Sequence, residues 1–269
     1  MGISHACFVL SYASALLLVV WQQFHENVWL RRTELVAAVA GLVAHTVFLT
    51  WHHPTPASGS GSLLMLAWLL AVFYLLYGQM YSQKIWGLVV LPMVLALTGL
   101  SFVVDDTAVN ADSSFASMFA GERFWGMIHG TLLLFAAVAI SVGFIVSLLY
   151  LVQGARLRAR KSPLPGMKKL SLERLERINR RGANVAMPLL TAGLLLGVLR
   201  MNRVEATDWA SVKIVGTAGL WVVCGLLLYM RYAVHVPGRR LAWVTIAAFS
   251  LTLLTLVATH PYAHGDAAR

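Results

Sequence analysis

The nine histidines are the residues of this chain with the most versatile chemistry. A neutral imidazole is a common metal ligand, and it titrates near physiological pH. The pattern of positive charge places six of them on or near one membrane face: His5, His52, His53, His129, His260 and His264. Such a cluster predicts a metal, haem or proton site. The alternative is that interfacial histidines only tolerate lipid headgroups.

Other catalytic patterns find little support in the sequence. It contains no Ser-His-Asp arrangement, phosphate-binding loop or zinc motif. Asp105 and Asp106 are adjacent and typical of a solvated acidic turn. Cys7 and Cys224 have no metal-binding or redox spacing. We therefore expect a protein that binds or handles a ligand, and not an enzyme.

The elements that must position the histidines are apolar segments, since about 17 to 25 such residues cross a bilayer as a helix. Eight candidates lie near 5 to 23, 34 to 51, 62 to 80, 86 to 104, 124 to 152, 184 to 200, 211 to 230 and 241 to 259. Hydrophobic residues make up 59% of the chain and charged residues 12%, whereas soluble domains are about a quarter charged. We predict an all-α fold, a polytopic transmembrane bundle of about eight helices.

Positive charge predicts the orientation of these spans, because Lys and Arg in short loops stay on the cytoplasmic side. Sixteen of the twenty-one cations lie in alternate connections, at Arg31, Arg32, Lys84, the segment 153–183, Arg231, Arg239 and Arg240. Both termini are then expected to be extracytoplasmic. Insertion and anionic lipid account for the net charge of +10, so no nucleic-acid partner is expected.

Three regions follow from this pattern. Residues 1–104 form an N-terminal four-helix membrane region, and residues 105–123 form an extracytoplasmic loop. In that loop the spacing of Phe115, Met118 and Phe119 predicts a short interfacial helix or an ordinary re-entry helix with an aromatic belt. Residues 124–264 form a second membrane region, which includes the cytoplasmic basic loop 153–183.

The sixth span combines two features of helix packing. Pro188 is expected to kink the helix without breaking it. Gly193 and Gly197 are four residues apart, so we expect them to let another helix approach closely and not to bind a ligand. The preceding residues 170–178 have the pattern of an amphipathic helix that leads into this span.

Several motifs in the second membrane region resemble the cytochrome c assembly family of membrane haem-handling proteins. They are Leu172–Asn179 continuing through Met187–Gly197, Gly238–Trp243, and Trp125–His129 at the start of a long helix. The resemblance covers about residues 120–264. The histidine inside the second span is similar to that of the shorter, HemX-like members.

The resemblance implies haem ligands at two positions. Members of the family ligate haem with an outer histidine before the signature helices and another after them. Here the first matches His129, and the second falls on His260 or His264. We favour His260, because Pro261 ends the helix just beyond it. Two imidazoles from different helices can coordinate iron from opposite sides of a porphyrin. The alternative for His129 is an interfacial or packing histidine.

The sequence also departs from the family. The tryptophan-rich segment that cradles haem is missing, because residues 202–210 offer only Asp208 and Trp209. The resemblance implies that Trp125 and Trp209 cover the haem ring. It also implies that Lys213 pairs with a propionate, although a lysine one turn into a membrane helix often reaches towards headgroups instead.

His45 lies within the second span, where an ionisable side chain is rare and usually faces a cavity or a partner. One interpretation gives it a role in haem binding or on a transport path. The other is a neutral histidine that is hydrogen-bonded within the bundle.

These observations predict a membrane haem-binding protein that assists extracytoplasmic cytochrome c biogenesis in the cell inner (plasma) membrane. The expected partners are haem, the lipid bilayer, apocytochrome c and another cytochrome c maturation membrane protein. One alternative is a HemX-like regulatory or assembly scaffold whose basic loop binds a cytoplasmic partner. Another is a permease subunit for a different substrate, which His45 and Pro188 would serve.

Overall fold

A computed structural model describes residues 3–22, 25, 27–52, 54, 59–81, 84–104, 122–160, 171–201 and 212–257. Nearly all of these residues are α-helical, and no strand occurs among them. Inside a bilayer a helix satisfies every backbone hydrogen bond within its own segment, which explains why long apolar sequences fold this way. The predicted all-α class is confirmed.

Eight helices are described. In the N-terminal half they are α1 (Ile3–Trp21), α2 (Val28–His52), α3 (Gly59–Tyr81) and α4 (Lys84–Val103). In the C-terminal half they are α5 (Glu122–Arg158), α6 (Leu172–Met201), α7 (Val212–Tyr232) and α8 (Gly238–Val257). Seven of these are long and apolar enough to cross a membrane, and α1 contributes the shorter apolar segment His5–Trp21. The chain is therefore a multi-pass membrane protein.

Two helices extend beyond the spans that the sequence predicted. Helix α5 has 37 residues and α6 has 30, or about 55 and 45 Å at the usual rise per residue. The hydrocarbon core is only about 30 Å thick. Much of the predicted basic loop 153–183 is therefore helix, ending at Arg158 and resuming at Leu172. The exposed pair of Arg177 with Glu173, at 2.6 Å, is of the i,i+4 type that supports a helix in water.

The chain divides into two compact units. Unit 1 contains α1 to α4, with α3 counted from Ser60, and unit 2 contains α5 to α8. The predicted interfacial helix in 105–123 lies outside the described residues.

Close helix contacts organise unit 1. The Tyr12 ring of α1 packs on Gly41 of α2, where an added Cβ would lie 2.9 Å from two ring carbons. Helix α3 is joined to α2 by two side-chain hydrogen bonds. Trp68 donates to Thr46 at 2.9 Å, and the Tyr74 hydroxyl donates to the buried Glu34 carboxylate at 2.5 Å.

In unit 2, α5 and α6 pack antiparallel, because the start of one helix contacts the end of the other. His129 meets Gly193, whereas Ser147 accepts a hydrogen bond from Asn179 at 2.8 Å. The Asn179 amide also lies 3.3 Å from the Thr245 hydroxyl, so it joins α6 to α8 as well as to α5. Pro188 lies inside α6 without ending it, as predicted.

Candidate functional site

The His129 side chain is oriented by the backbone of the neighbouring helix. His129 occupies the second turn of α5, and its Nδ1 lies 2.7 Å from the Gly193 carbonyl oxygen of α6. A carbonyl only accepts hydrogen bonds, so Nδ1 must carry the proton and donate it. In the neutral ring the lone pair then belongs to Nε2. Metal-binding histidines commonly show this arrangement, in which one nitrogen donates to a carbonyl and the other is the ligand.

Two glycines of α6 make room for this contact. A Cβ built at Gly197 would lie 3.0 Å from His129 Cε1, and one built at Gly193 would lie 2.7 Å from Leu133 Cδ2. Both glycines therefore serve close packing, as predicted from their spacing. They also let the imidazole of His129 reach the α6 backbone, which the sequence did not indicate.

Aromatic side chains lie one turn before His129. Trp125 precedes it by four residues and so shares its face of α5. The Trp125 side chain is 50% exposed, and its ring meets that of Phe124 edge-on with centroids 5.9 Å apart. An exposed indole beside a histidine at the end of a membrane helix is suited to apolar contact with a flat ligand.

For the other residues predicted for this site, the structure describes no side chain. Trp209, His260 and His264 lie outside the described residues, and Lys213 is in the first turn of α7 without a described side chain. Their roles stay predictions. Within the described part of the chain, no three His, Cys, Asp or Glu residues are grouped so as to hold a metal ion.

His45 occupies a dry aromatic setting in unit 1. Its side chain has no solvent exposure. The ring stacks on Phe8 with centroids 4.5 Å apart and planes 6° from parallel, and Tyr12 meets it edge-on. Neither ring nitrogen has a hydrogen-bond partner among the described residues. A buried polar group of this kind calls for an explanation such as a bound ligand or water.

The His45 ring belongs to a larger ladder that the sequence reading missed. Six side chains of α1 and α2 form it, namely His5, Phe8, Tyr12, His45, Phe48 and His52. The rings of His5 and Phe48 are 4.1 Å apart, and those of His5 and His52 are 5.9 Å apart. The signal was available, because each helix supplies three rings at the spacing i, i+3 and i+7, which marks one helix face.

Comparison with known proteins locates the matching region. The model of the cytochrome C assembly protein family matches residues 57–261. This segment is longer than the 120–264 expected from the motifs and includes His129, Gly193 and Gly197. His45 and the ladder precede it. No solved structure matches the chain significantly.

Two curated relatives are similar to this chain, and both are called cytochrome c biogenesis protein CcsA. The protein from Chlamydomonas reinhardtii is 23% identical over 192 residues, covering 70% of this chain and 53% of the relative. The protein from Synechococcus sp. (strain RCC307) is 24% identical over 209 residues, covering 69% of this chain and 66% of the relative. The chain thus spans between half and two thirds of the length of these relatives.

Proposed function

Because this chain belongs to the cytochrome c assembly protein family, we propose that it binds haem in the membrane and assists extracytoplasmic cytochrome c biogenesis. The observation that supports this most directly is the hydrogen bond from His129 Nδ1 to the Gly193 carbonyl. It fixes the tautomer and the orientation of the imidazole, and in this tautomer Nε2 is the ring nitrogen that carries the lone pair.

Haem is the cargo in this proposal, and the chain holds it without changing it chemically. His129 supplies one axial ligand, and His260, or else His264, supplies the other. Trp125 contributes exposed apolar surface for the ring. Trp209 completes that cover, and Lys213 pairs with a propionate. When bound, the haem iron would accept a lone pair from each imidazole.

His45 is proposed as a second position for the same cargo or for its path. The feature that favours this role is the pair of ring nitrogens without a hydrogen-bond partner among the described residues. The ring of Phe8 stacks on that of His45 with centroids 4.5 Å apart, so the setting of His45 is aromatic and apolar.

The protein would work in the plasma membrane with apocytochrome c and a second membrane protein of cytochrome c maturation. Both relatives are named for cytochrome c biogenesis, which supports this assignment of partners. A handling role without catalysis fits a site built from imidazole, indole and backbone carbonyl groups.

An absorption spectrum of the purified protein tests the proposal. Wild type should show a haem Soret band after extraction or after reconstitution with haemin, and His129→Gly should lose most of it. The cavity that His129→Gly leaves lies against Gly197, so imidazole added to the buffer should restore the band. Restoration by imidazole, with no restoration by toluene, which can fill the space but cannot ligate iron, would identify His129 as a ligand.

The matched control is His25→Gly, since His25 is an exposed histidine of the same chain. This variant should keep the wild-type spectrum. The proposal is wrong if wild type shows no haem absorbance under either condition. It is also wrong if His129→Ala combined with His260→Ala leaves reconstituted haem binding unchanged.

A further inference from the structure

A groove lies at the end of unit 2 where α5 ends and both α6 and α8 begin. Its accessible volume is about 360 Å³, and its lining includes Tyr150, Gly154 and Arg158 of α5, Leu172 of α6 and Arg239 of α8. The three α5 residues are spaced four apart and so share one face of that helix. A volume of this size is typical of sites that bind small organic ligands.

Positive charge at the groove is not neutralised by the described part of the protein. Arg158 and Arg239 are both exposed. The acidic side chains described in unit 2 are engaged elsewhere, since Glu173 pairs with Arg177 at 2.6 Å and Glu176 with Arg231 at 3.6 Å. Among the described residues, neither Arg158 nor Arg239 has an ion-pair partner. The groove therefore presents two guanidinium groups to an anion from outside the chain.

The rest of the lining is apolar and elongated. Leu151, Leu157 and Leu172 line the groove, and Leu157 is 47% exposed. At Gly154 an added Cβ would meet no atom within 4 Å, so this position leaves the groove open. From Leu151 to Arg158 the helix rises by about 10 Å. The leucines and the two arginines therefore lie side by side in the groove.

The place of the groove on the helices selects the ligand. Helix α5 is a membrane-spanning helix, and Arg156 and Arg158 lie in its last turn. The lining therefore combines leucines with two cations at the end of this span, at the depth of lipid headgroups. We propose that the groove binds an anionic phospholipid, with its phosphate at Arg158 and Arg239 and apolar contacts to Leu151, Leu157 and Leu172. A soluble acidic peptide would make no apolar contact with these leucines.

Native mass spectrometry of the full-length protein in detergent tests this proposal. The probes are dioleoyl phosphatidylglycerol, which is anionic, and dioleoyl phosphatidylcholine, which is zwitterionic. Arg158→Gln combined with Arg239→Gln should weaken binding of the anionic lipid by about tenfold or more, because charge-assisted hydrogen bonds to phosphate are lost. Binding of phosphatidylcholine, whose choline group offsets the phosphate charge, should weaken much less.

Two matched controls separate the groove from general effects. Arg177→Gln also removes one cation, outside the groove, and should leave phosphatidylglycerol binding at the wild-type value. Gly154→Leu should fill the groove and weaken binding of both lipids, whereas Gly99→Leu, where a Cβ also meets nothing within 4 Å, should weaken neither. Both substitutions should be compatible with folding because the space is open.

Three results would overturn the proposal. The first is an equal loss of phosphatidylglycerol binding in Arg177→Gln and in the double arginine variant of the groove, which would indicate unspecific charge. The second is wild-type lipid binding in Gly154→Leu. The third is that a poly-glutamate peptide or inorganic phosphate, and not the lipid, binds at the groove. The haem spectrum should be the same in all these variants, so failure of the lipid site and failure of the proposed haem function are distinguishable.

Discussion

At His129, hydrogen bonding and packing act on different atoms of one imidazole. Nδ1 donates to the Gly193 carbonyl, while Gly197 lies against Cε1. The ring is thereby held by two contacts from α6, although the residue itself belongs to α5. Binding sites generally require that neighbouring residues hold each ligating side chain in a precise position.

This arrangement predicts that a single methyl group at position 197 disturbs haem binding. In Gly197→Ala the new Cβ would lie 3.0 Å from His129 Cε1, so the ring must shift or leave its preferred rotamer. Such strain costs about 0.5–1.5 kcal/mol, which corresponds to a loss of haem affinity of about two- to tenfold. A titration of the purified protein with haemin, followed by absorbance, measures the change.

The control is Gly219→Ala on α7, where the nearest atom lies 3.7 Å from an added Cβ. That contact is ordinary, so the haem affinity should stay at the wild-type value. If the Gly197→Ala protein binds haem with the wild-type affinity, crowding of His129 by a side chain at position 197 does not affect haem binding.

The resemblance of Trp125–His129 to the family's outer histidine motif predicted His129 as a ligand. The sequence could not predict the hydrogen bond to Gly193, because the two residues are 64 positions apart and meet only through helix packing. His45 shows the opposite case. Its aromatic neighbours follow a simple helical spacing on α1 and α2, and the ladder was missed because each helix was read separately.

At the scale of helices, hydropathy located the membrane-embedded parts and missed where the helices end. The predicted span 184–200 lies within α6, yet the helix begins at Leu172. Hydropathy reports the part of a helix that contacts lipid, and α6 continues beyond it with charged residues such as Glu173 and Arg177. The amphipathic pattern of 170–178 predicted that extension, which is confirmed from Leu172 onwards.

The junction of three helices in unit 2 depends on one buried amide. Asn179 of α6 is 6% exposed and reaches Ser147 of α5 and Thr245 of α8. Hydrogen bonds between membrane helices contribute about 0.6–1.7 kcal/mol each. Asn179→Ala should therefore lower the free energy of unfolding by about 1–3 kcal/mol, measured by denaturation of the purified protein in detergent micelles.

Asn184→Ala offers a matched comparison on the same helix. Asn184 exchanges hydrogen bonds with Tyr232 of α7 at 2.8 and 3.1 Å, and this pair is exposed. Its loss should cost clearly less than that of Asn179. If the two variants are equally stable, the buried network does not hold the three helices together.

At the scale of the whole molecule, the alternation of charge predicts which side of the membrane each connection occupies. The prediction that both termini are extracytoplasmic can be checked by labelling single cysteines on intact cells. In a background without Cys7 and Cys224, Asp266→Cys should react with a membrane-impermeant maleimide. Lys161→Cys in the basic segment should react only after the membrane is permeabilised.

If Lys161→Cys is labelled in intact cells and Asp266→Cys is protected, the orientation is the opposite of the predicted one. It would also place His129 and the arginines of the groove on the opposite sides from those expected, since each follows from the same charge pattern.

His129 is held by a backbone acceptor, the carbonyl oxygen of Gly193. This affects which substitutions the protein tolerates at that position. Every amino acid at position 193 retains the same carbonyl group, so no substitution there deletes the acceptor itself. Because an added Cβ is crowded at both positions 193 and 197, we expect substitutions there to act through bulk and hardly through polarity. Serine and alanine, which differ in chemistry but little in size, should be nearly equivalent at both positions.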